Sequence, residues 1–217
     1  MPAVGIDFGT TNSVISTVTD QGKLETTVFA RPEGAETIFP TQLTYWQAET
    51  PPGRQTTRVE AGQWAVDAFM ANSPDCRFLK SIKTFAASPN FTGTTIYGVR
   101  HEFSDLMRTF LDRMLTHGNA GPSGSRGSVV VGRPIRFAGA GAQPELAMTR
   151  YQTALRALGY SDMRTVYEPL AAAYYFVRDL QGSATIFVGD FGGGGRDEGP
   201  PGVDVGTHFG FATILVV

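Results

Sequence analysis

The chain has 217 residues, of which 41% are hydrophobic and 18% are charged, and its formal net charge is -2. This composition is typical of a globular protein, and near-neutral charge argues against nucleic acid or a membrane surface as a partner. No apolar run approaches the ~20 residues of a membrane-spanning helix, and the first residues lack the layout of a signal peptide. The single cysteine, Cys76, and three isolated histidines exclude an internal disulfide and a structural zinc site. We therefore expect a cytoplasmic protein.

Residues 1–46 predict a series of strands. The segments VGIDF, SVISTVT, LETTVFA and IFPTQLTYW are short, rich in β-branched residues and separated by turn-forming residues. The polar segment QAETPPGRQTTR, at residues 47–58, contains paired prolines and predicts a loop. Helical patterning follows at residues 61–71.

The clearest helical pattern is SDLMRTFLDRMLTHG, at residues 104–118. One apolar stripe recurs at three- and four-residue spacing, made of Leu106, Phe110, Leu111, Met114 and Leu115. Ser104 is the predicted N-cap, Asp105 suits the positive helix start, and Gly118 is the predicted C-terminal glycine. The stripe indicates core packing rather than a cofactor site.

The rest of the chain alternates between strands and helices. A strand SVVVG precedes a helix at residues 144–158, a strand near residues 165–167, a helix PLAAAYYFVRDL and a strand ATIFVGD. Strand hairpins followed by this alternation predict an α/β fold with a mixed sheet and flanking helices. The segment at residues 195–217 is rich in glycine and proline, and only FATILVV at its end has a strand pattern.

Two turns, each at the end of a predicted strand, are the candidate functional feature. IDFGTTNS near the start and FVGDFGGG near the end both place Asp-Phe-Gly after an apolar run. Glycine lets backbone N–H groups approach an anion, and the hydroxyls of Thr10 and Thr11 suit phosphate oxygens. Asp7 and Asp190 suit Mg²⁺, which retains several waters and needs few carboxylates. The two turns together predict binding of a magnesium nucleotide, whereas either turn alone is also compatible with a plain hairpin.

Four motifs, taken in order, resemble the DnaK-type heat-shock chaperone family, and its YegD-like branch in particular. They are IDFGTTNS, VVVGRPIRF, VYEPLAAAYYF and GDFGGG. The resemblance covers residues 1–194 and implies the first, N-terminal lobe of an actin-like ATPase domain with a ribonuclease H-like fold. It also implies ATP hydrolysis coupled to conformational change, with ATP/ADP and Mg²⁺ as cofactors. Unfolded client proteins and co-chaperones are the implied partners, bound through regions that the match does not contain.

The resemblance implies roles for residues of the first turn and for a lysine. Asp7 would position the water shell of the metal. Thr10, Thr11 and Asn12 would bind the β- and γ-phosphates. Lys83, in the segment SIKTFAAS, would face the phosphates and orient the attacking water, with Lys80 as the alternative for that role.

Further roles are implied along the second half of the chain. Glu168 would belong to the catalytic neighbourhood, although Glu168 followed by proline also suits a helix start. Asp190 would position metal and water. Three glycines would wrap the phosphates from the other side, namely Gly192, Gly193 and Gly194. Pro134 and Arg136 match the place where the family couples nucleotide state to its partner domain, and a strand-ending proline is the competing interpretation.

The match breaks after Gly194. The family continues with threonine, an alternating strand containing aspartate, and a second lobe that carries most of the adenosine pocket. Here Gly195 and Arg196 follow, and the composition changes abruptly. We therefore expect residues 195–217 to be an atypical tail, produced by truncation or a shifted reading frame, and we expect weak nucleotide binding without hydrolysis.

Two other functions are compatible with the same fold. A sugar-type small-molecule kinase would need a general base near a sugar pocket, and the EPLAAAYYF helix favours the chaperone branch over it. An actin-like filament subunit would sediment with ATP in a concentration-dependent way, whereas phosphate release without polymer would favour the ATPase.

Overall fold

The computed structural model describes residues 3–51, 53–118, 126–177, 184–190 and 210–216, and these form a mixed α/β fold. The strands are β1 (Ala3–Phe8), β2 (Asn12–Val18), β3 (Leu24–Thr26), β4 (Phe29–Arg31), β5 (Gly34–Glu36), β6 (Phe39–Pro40), β7 (Gln42–Thr50), β8 (Arg54–Ala61), β9 (Cys76–Lys80), β10 (Thr94–Ile96), β11 (Val99–His101), β12 (Arg126–Arg133), β13 (Tyr160–Tyr167), β14 (Ala184–Asp190) and β15 (Gly210–Val216). The helices are α1 (Gly62–Asn72), α2 (Phe103–His117), α3 (Pro144–Ala157), α4 (Glu168–Val177) and a short 3-10 helix (Ile82–Phe85).

A six-stranded mixed sheet contains the first turn. Its order is β13-β12-β1-β2-β3, and β6 pairs with β2. β12 runs parallel to both β1 and β13, whereas β2 is antiparallel to β1 and β3. Within β1, Ile6 and Phe8 are buried and Asp7 between them is exposed, as the two-residue period of a strand requires. The predicted mixed sheet with flanking helices is confirmed.

A separate three-stranded sheet has the order β8-β7-β9. The loop predicted at residues 47–58 is wrong, because β7 and β8 extend through it as an antiparallel hairpin. Its polar residues pair across the two strands, as in the hydrogen bond of 3.0 Å between Gln47 Nε2 and Thr57 Oγ1. Pro51 lies in the turn between the strands, where it interrupts no ladder.

Helix α2 begins two residues earlier than the sequence pattern predicted. Its N-cap is Glu102 rather than Ser104, and Glu102 and Asp105 form a reciprocal capping box. The backbone N–H of Glu102 donates to Asp105 Oδ2 at 2.9 Å, so the predicted role of Asp105 at the helix start is confirmed. Gly118 is the C-cap as predicted, and all five residues of the apolar stripe are buried.

The core of the described part lies where α2 and α3 meet the six-stranded sheet. Phe8 of β1 packs against Phe110 of α2 with ring centroids 5.6 Å apart. It also meets the edge of Tyr151 of α3 at 5.9 Å. Phe39 extends the cluster, at 5.7 Å from Phe110. These aromatic contacts fix the end of β1, and therefore the start of the turn that follows it.

β14 and β15 form an antiparallel hairpin with paired ends at Ala184 with Val216 and Asp190 with Gly210. The strand pattern of FATILVV is confirmed by β15. Residues 191–209, which contain most of the atypical tail, lie outside the described residues. No helix in the described part of the chain is long and apolar enough to cross a membrane.

Candidate functional site

Three parallel strands end side by side at one edge of the six-stranded sheet. The register pairs Ile6 with Val131 and Gly132 with Val166, so the ends of β1, β12 and β13 are aligned. Asp7 and Glu168 lie at or just beyond these ends. Open α/β sheets bind ligands in the crevice outside the carboxyl ends of their strands. We refer to this edge as the carboxyl edge.

The first predicted turn links β1 to β2 at the carboxyl edge. A β-carbon at Gly9 would collide with the carbonyl oxygen of Asn12, so the turn requires glycine there. Thr41 anchors the turn, because its N–H donates to the carbonyl of Thr11 at 2.7 Å and its hydroxyl lies 2.8 Å from that of Ser13. Thr11 and Asn12 are exposed, and Thr10 is half-buried. The hydroxyls of the turn are thus presented at the surface by a fixed backbone.

Lys83 and Glu168 form a largely buried ion pair at the same edge. Lys83 Nζ lies 2.6 Å from Glu168 Oε1, and the two side chains are 8% and 20% exposed. The 3-10 helix carries Lys83, and Glu168 is the first residue of α4, 85 positions further along the chain. Lys80, the alternative for the phosphate-facing role, is exposed at the end of β9. The structure therefore brings Lys83, and not Lys80, to Glu168.

Gly132 lies between Asp7 and Glu168. A β-carbon at this position would be 3.1 Å from Cγ of Glu168 and 3.8 Å from Oδ1 of Asp7. The missing side chain therefore leaves room for the Glu168 side chain at the end of β12, whereas Asp7 is at ordinary contact distance. Asp7, Lys83 and Glu168, which the sequence resemblance assigned to one site, lie close together around this glycine.

Tyr151 of α3 is a buried phenol on which the charges of the two carboxylates act. It is 0% exposed, and within the described part of the chain its hydroxyl has no hydrogen-bond partner. Burial, with the negative charges of Glu168 and Asp7, raises the pKa of the Tyr151 phenol well above its ordinary value. The phenol therefore stays neutral and keeps its proton as a hydrogen-bond donor.

Other residues assigned from the sequence are placed less completely. Asp190 is the last residue of β14, but its side chain lies outside the described part. The three glycines of the second turn, Gly192, Gly193 and Gly194, also lie outside the described part. A clamp made by two facing turns therefore stays a prediction. Pro134 follows the end of β12 directly, and Arg136 is exposed two residues later. Their coupling role stays a prediction too.

Sequence reasoning assigned no role to Gly132 or Tyr151. Gly132 stands in the quoted motif VVVGRPIRF as the last residue of the predicted strand SVVVG, and that position is its only signal. Tyr151 follows the helical period of α3 and is indistinguishable in sequence from an ordinary core aromatic. Only the packing of α3 against β1, seen in the contact of Tyr151 with Phe8, brings this tyrosine within reach of the charges of Glu168 and Asp7.

The donor set fits a hydrated magnesium ion better than a metal held by protein ligands alone. In the described ranges, no group of three or more His, Cys, Asp or Glu side chains is placed to hold a metal. Asp7 and Glu168 offer carboxylate oxygens, and Mg²⁺ typically binds through one or two carboxylates while keeping its waters.

The arrangement combines groups that suit an anion and a cation together. One N–H of the Lys83 ammonium donates to Glu168, and an ammonium has three such donors. Hydroxyls of the first turn lie along the same edge, and Asp7 supplies negative charge nearby. This set can bind a phosphate chain and a divalent cation in contact with it.

The sequence was compared with protein-family models and with curated proteins, and neither comparison gives a match.

Proposed function

We propose that this chain is the first lobe of an actin-like, ribonuclease H-like ATPase domain of the DnaK chaperone type. In this proposal the carboxyl edge binds the phosphates of magnesium ATP. The observation that carries it is the ion pair between Lys83 and Glu168, which lies beside Asp7 at the ends of parallel strands. These three residues were assigned to one nucleotide site from sequence motifs that are far apart along the chain.

The order of elements also supports the proposal. An antiparallel hairpin, β1-β2, is followed by β12, α3, β13 and α4, with all these strands in one mixed sheet. The family resemblance implies the order first phosphate turn, signalling strand and connecting helix, and the first turn, β12 and α4 come in that order along the chain. The first turn is the one at Gly9–Asn12, between β1 and β2.

Each residue has a defined task in this proposal. Thr10 and Thr11 donate hydroxyl hydrogen bonds to phosphate oxygens, and Asp7 binds the water shell of the cation. Bound Mg²⁺ supplies charge neutralisation of the phosphates. Lys83 donates to a phosphate oxygen or to the attacking water while Glu168 holds its ammonium in place. The residues act by positioning and electrostatics, without a covalent intermediate.

The cellular part of the proposal rests on the sequence resemblance. We propose a cytoplasmic protein whose nucleotide state is coupled to client proteins or co-chaperones. Pro134 and Arg136, at the end of β12, are the proposed start of that coupling.

The binding test is a titration of isotope-labelled protein with magnesium ATP, followed by the amide signals of Gly9–Asn12. We expect a dissociation constant of about 1 mM, equivalent to about -4 kcal/mol, because the identified groups contact phosphate rather than base. Removing magnesium should abolish the shifts, and magnesium GTP should bind about as well as magnesium ATP. Micromolar binding with a preference for adenine would contradict the proposed phosphate-only contacts.

The matched pair of variants is Lys83→Met and Lys80→Met. Both remove one positive charge from neighbouring positions, but only Lys83 lies at the carboxyl edge. Loss of a charge-assisted hydrogen bond should weaken binding by roughly tenfold in Lys83→Met and leave Lys80→Met unchanged. Asp7→Asn provides a second site variant that leaves the ion pair intact. Equal effects of the two lysine variants would reject the site.

A further inference from the structure

Arg150 of α3 binds the chain segment that follows Lys83. Its guanidinium donates to four backbone carbonyl oxygens, those of Phe85, Ala86, Ser88 and Phe91, at 2.9, 2.9, 3.0 and 2.6 Å. Nη1 donates to the oxygens of Phe85, Ala86 and Ser88, and Nη2 donates to that of Phe91. One side chain thus joins α3 to about seven consecutive residues of backbone located some 60 positions earlier.

These contacts add to the few backbone hydrogen bonds of the 3-10 helix and the turn after it. Phe85 ends the 3-10 helix, and its carbonyl also accepts the N–H of Ser88 at 3.2 Å, while the carbonyl of Ser88 accepts the N–H of Phe91 at 3.3 Å. The carbonyls at the end of a helix lack partners inside it and are met by side chains, water or neighbouring turns. Charge-assisted hydrogen bonds from a guanidinium are among the stronger ways to meet this need.

The Arg150 group also lies 5.9 Å from the ring centroid of Phe103. Burial lowers the pKa of Arg150 and Glu102 opposes this, but an arginine remains charged throughout the ordinary pH range.

The backbone around Lys83 is held from both sides. Before it, Ser81 adopts a left-handed conformation with φ 54°, which is uncommon for a residue other than glycine. After it, the N–H of Ala86 donates to the carbonyl of Lys83 at 3.0 Å, and the carbonyl of Ala86 is one of the four bound by Arg150. A strained conformation of this kind persists only where the surroundings determine it.

We propose that Arg150 is a positioning residue for Lys83. By fixing the 3-10 helix and the turn after it, Arg150 holds the Lys83 ammonium against Glu168 at the carboxyl edge. What Lys83 then does to a phosphate rests on the proposed function, whereas the positioning itself does not. Arg150 and Tyr151 are adjacent in α3, so one helix sets both the lysine and the buried phenol of the site.

The first measurement follows the Lys83 ammonium directly. In protein labelled with ¹⁵N at lysine side chains, Lys83 is assigned by the loss of its signal in Lys83→Met. The wild-type ammonium should exchange its protons slowly because it is buried and bonded to Glu168. Arg150→Ala should speed this exchange by at least roughly tenfold, as expected when a charge-assisted hydrogen bond is no longer held. Arg156→Ala, an exposed arginine of the same helix, is the matched control and should change nothing.

Two further variants separate positioning from general stability. Arg150→Lys keeps the charge but not the planar fork, so we expect intermediate exchange of the Lys83 ammonium. Guanidinium ion at millimolar concentration, far below denaturing levels, should restore slow exchange in Arg150→Ala, whereas sodium chloride at equal ionic strength should not. Unchanged Lys83 exchange in folded Arg150→Ala overturns the proposal. Failure of both Arg150→Ala and Arg150→Lys to fold would also overturn the proposal, because Arg150 would then serve stability alone.

A binding cycle connects the inference to nucleotide. If Arg150 acts through Lys83, Arg150→Ala should weaken magnesium ATP binding by roughly fivefold in the wild-type background and not at all in Lys83→Met. Equal weakening in both backgrounds overturns the positioning role. If wild-type protein binds no magnesium ATP while Lys83 exchange still depends on Arg150, the proposed function fails and the positioning role stands.

Discussion

The two larger sheets of this protein organise polar residues in opposite ways. At the carboxyl edge of the six-stranded sheet, side chains from distant parts of the sequence meet, as Lys83 and Glu168 do across 85 positions. In the three-stranded sheet, the hairpin β7-β8 pairs residues that are close in sequence, as Gln47 and Thr57 do across ten positions. The first contact is largely buried and the second is exposed.

The difference follows from strand direction. Parallel strands need long connections, so their aligned ends collect residues from separate segments, whereas an antiparallel hairpin joins neighbours. A buried ion pair must be matched closely because each charge has lost its water, whereas an exposed amide–hydroxyl contact exchanges with solvent at little cost. Chemistry that requires several groups in one place is therefore expected at the carboxyl edge.

Two depressions in the surface of the described part do not coincide with the carboxyl edge. A depression of about 520 Å³ lies on the three-stranded sheet and is lined by Trp46, Ala48, Thr57, Arg58, Val59, Glu60 and Arg113. A second, of about 380 Å³, is lined by Pro74, Asp75, Cys76, Arg77, Thr95, Ile96 and Tyr97. None of the residues at the carboxyl edge lines either depression. The carboxyl edge is the better candidate site, because both depressions are open and neither is lined by a buried ion pair.

The largest expected effect comes from removing the acid of the ion pair. Glu168→Ala leaves the Lys83 ammonium, only 8% exposed, without its carboxylate. We expect a loss of about 3 kcal/mol in the free energy of unfolding, measured with urea, since breaking one partner of a buried pair strands the other charge. Glu49→Ala, at an exposed position of β7, should change stability by no more than about 0.5 kcal/mol.

Replacing both charges is the control for that result. Lys83→Met combined with Glu168→Ala should recover part of the lost stability, because no buried charge then remains without a partner. Similar losses for Glu168→Ala and Glu49→Ala would show that the two sheets do not differ in the way that we describe.

The two turns should differ by a smaller amount. Gly9→Ala, at the carboxyl edge, places a methyl group against the carbonyl oxygen of Asn12, so the turn must rearrange. We expect a cost of about 2 kcal/mol and displaced amide signals for Thr10 and Thr11. Gly53→Ala, in the turn of the three-stranded sheet, meets only the Glu49 carboxylate at 3.7 Å and is disfavoured by its φ of 83°. Its cost should be about 1 kcal/mol.

Those two costs are measured by thermal or urea unfolding of the matched variants. A Gly53→Ala variant that is less stable than Gly9→Ala would contradict the expected order. The cost of each substitution would then depend on backbone conformation rather than on close approach of other atoms.

The smallest effect is a dependence on alkaline pH. Burial raises the pKa of both Tyr151 and Tyr45. Glu168 and Asp7 raise the pKa of Tyr151 further, whereas Thr109 and Arg108 act to lower the pKa of Tyr45. The folded protein holds these protons after the unfolded chain has released them. Stability is therefore complete below pH about 10 and falls as the pH rises above it, by about 1.4 kcal/mol per pH unit for each tyrosine.

Tyr151→Phe should flatten that decline by up to about 1.4 kcal/mol per pH unit, as measured by urea unfolding between about pH 9 and 11. Tyr45→Phe, in the three-stranded sheet, should flatten it less because Thr109 and then Arg108 lower the pKa of Tyr45 and offset part of the effect of burial. An unchanged alkaline slope in Tyr151→Phe would place its hydroxyl in contact with water rather than against the two carboxylates.

Much of the fold was predictable from local pattern. The stripe of α2 and the glycine at its end placed the body and the C-terminus of that helix correctly, and β-branched runs placed β1, β2, β12 and β14. Local pattern was less successful where side chains carry little hydrophobic contrast. Residues 47–58 predict a loop although they form a hairpin, because both its strands are polar there. The sequence favours Ser104 over Glu102 as the cap of α2 because glutamate is a rare N-cap.

The sequence by itself determined which segments hold candidate chemistry. Asp7, Lys83 and Glu168 stand in separate segments, and the family resemblance implies roles for them in the water shell of the metal, at the phosphates and in the catalytic neighbourhood. It did not determine which lysine would meet Glu168, since Lys80 and Lys83 are only three positions apart. That choice depends on the left-handed turn at Ser81 and on the 3-10 helix, which bury one lysine and expose the other.

Only the tertiary structure decided the roles of Gly132, Arg150 and Tyr151. Each acts through a neighbour distant in sequence: Gly132 by leaving space beside Glu168, and Arg150 by binding carbonyls near Lys83. Tyr151 is buried where the charges of Glu168 and Asp7 act on its phenol. Periodicity predicts which face of a helix is buried. It does not predict whether a buried side chain lies near a charge or near another apolar side chain, because the sheet brings the charged residues from distant parts of the sequence.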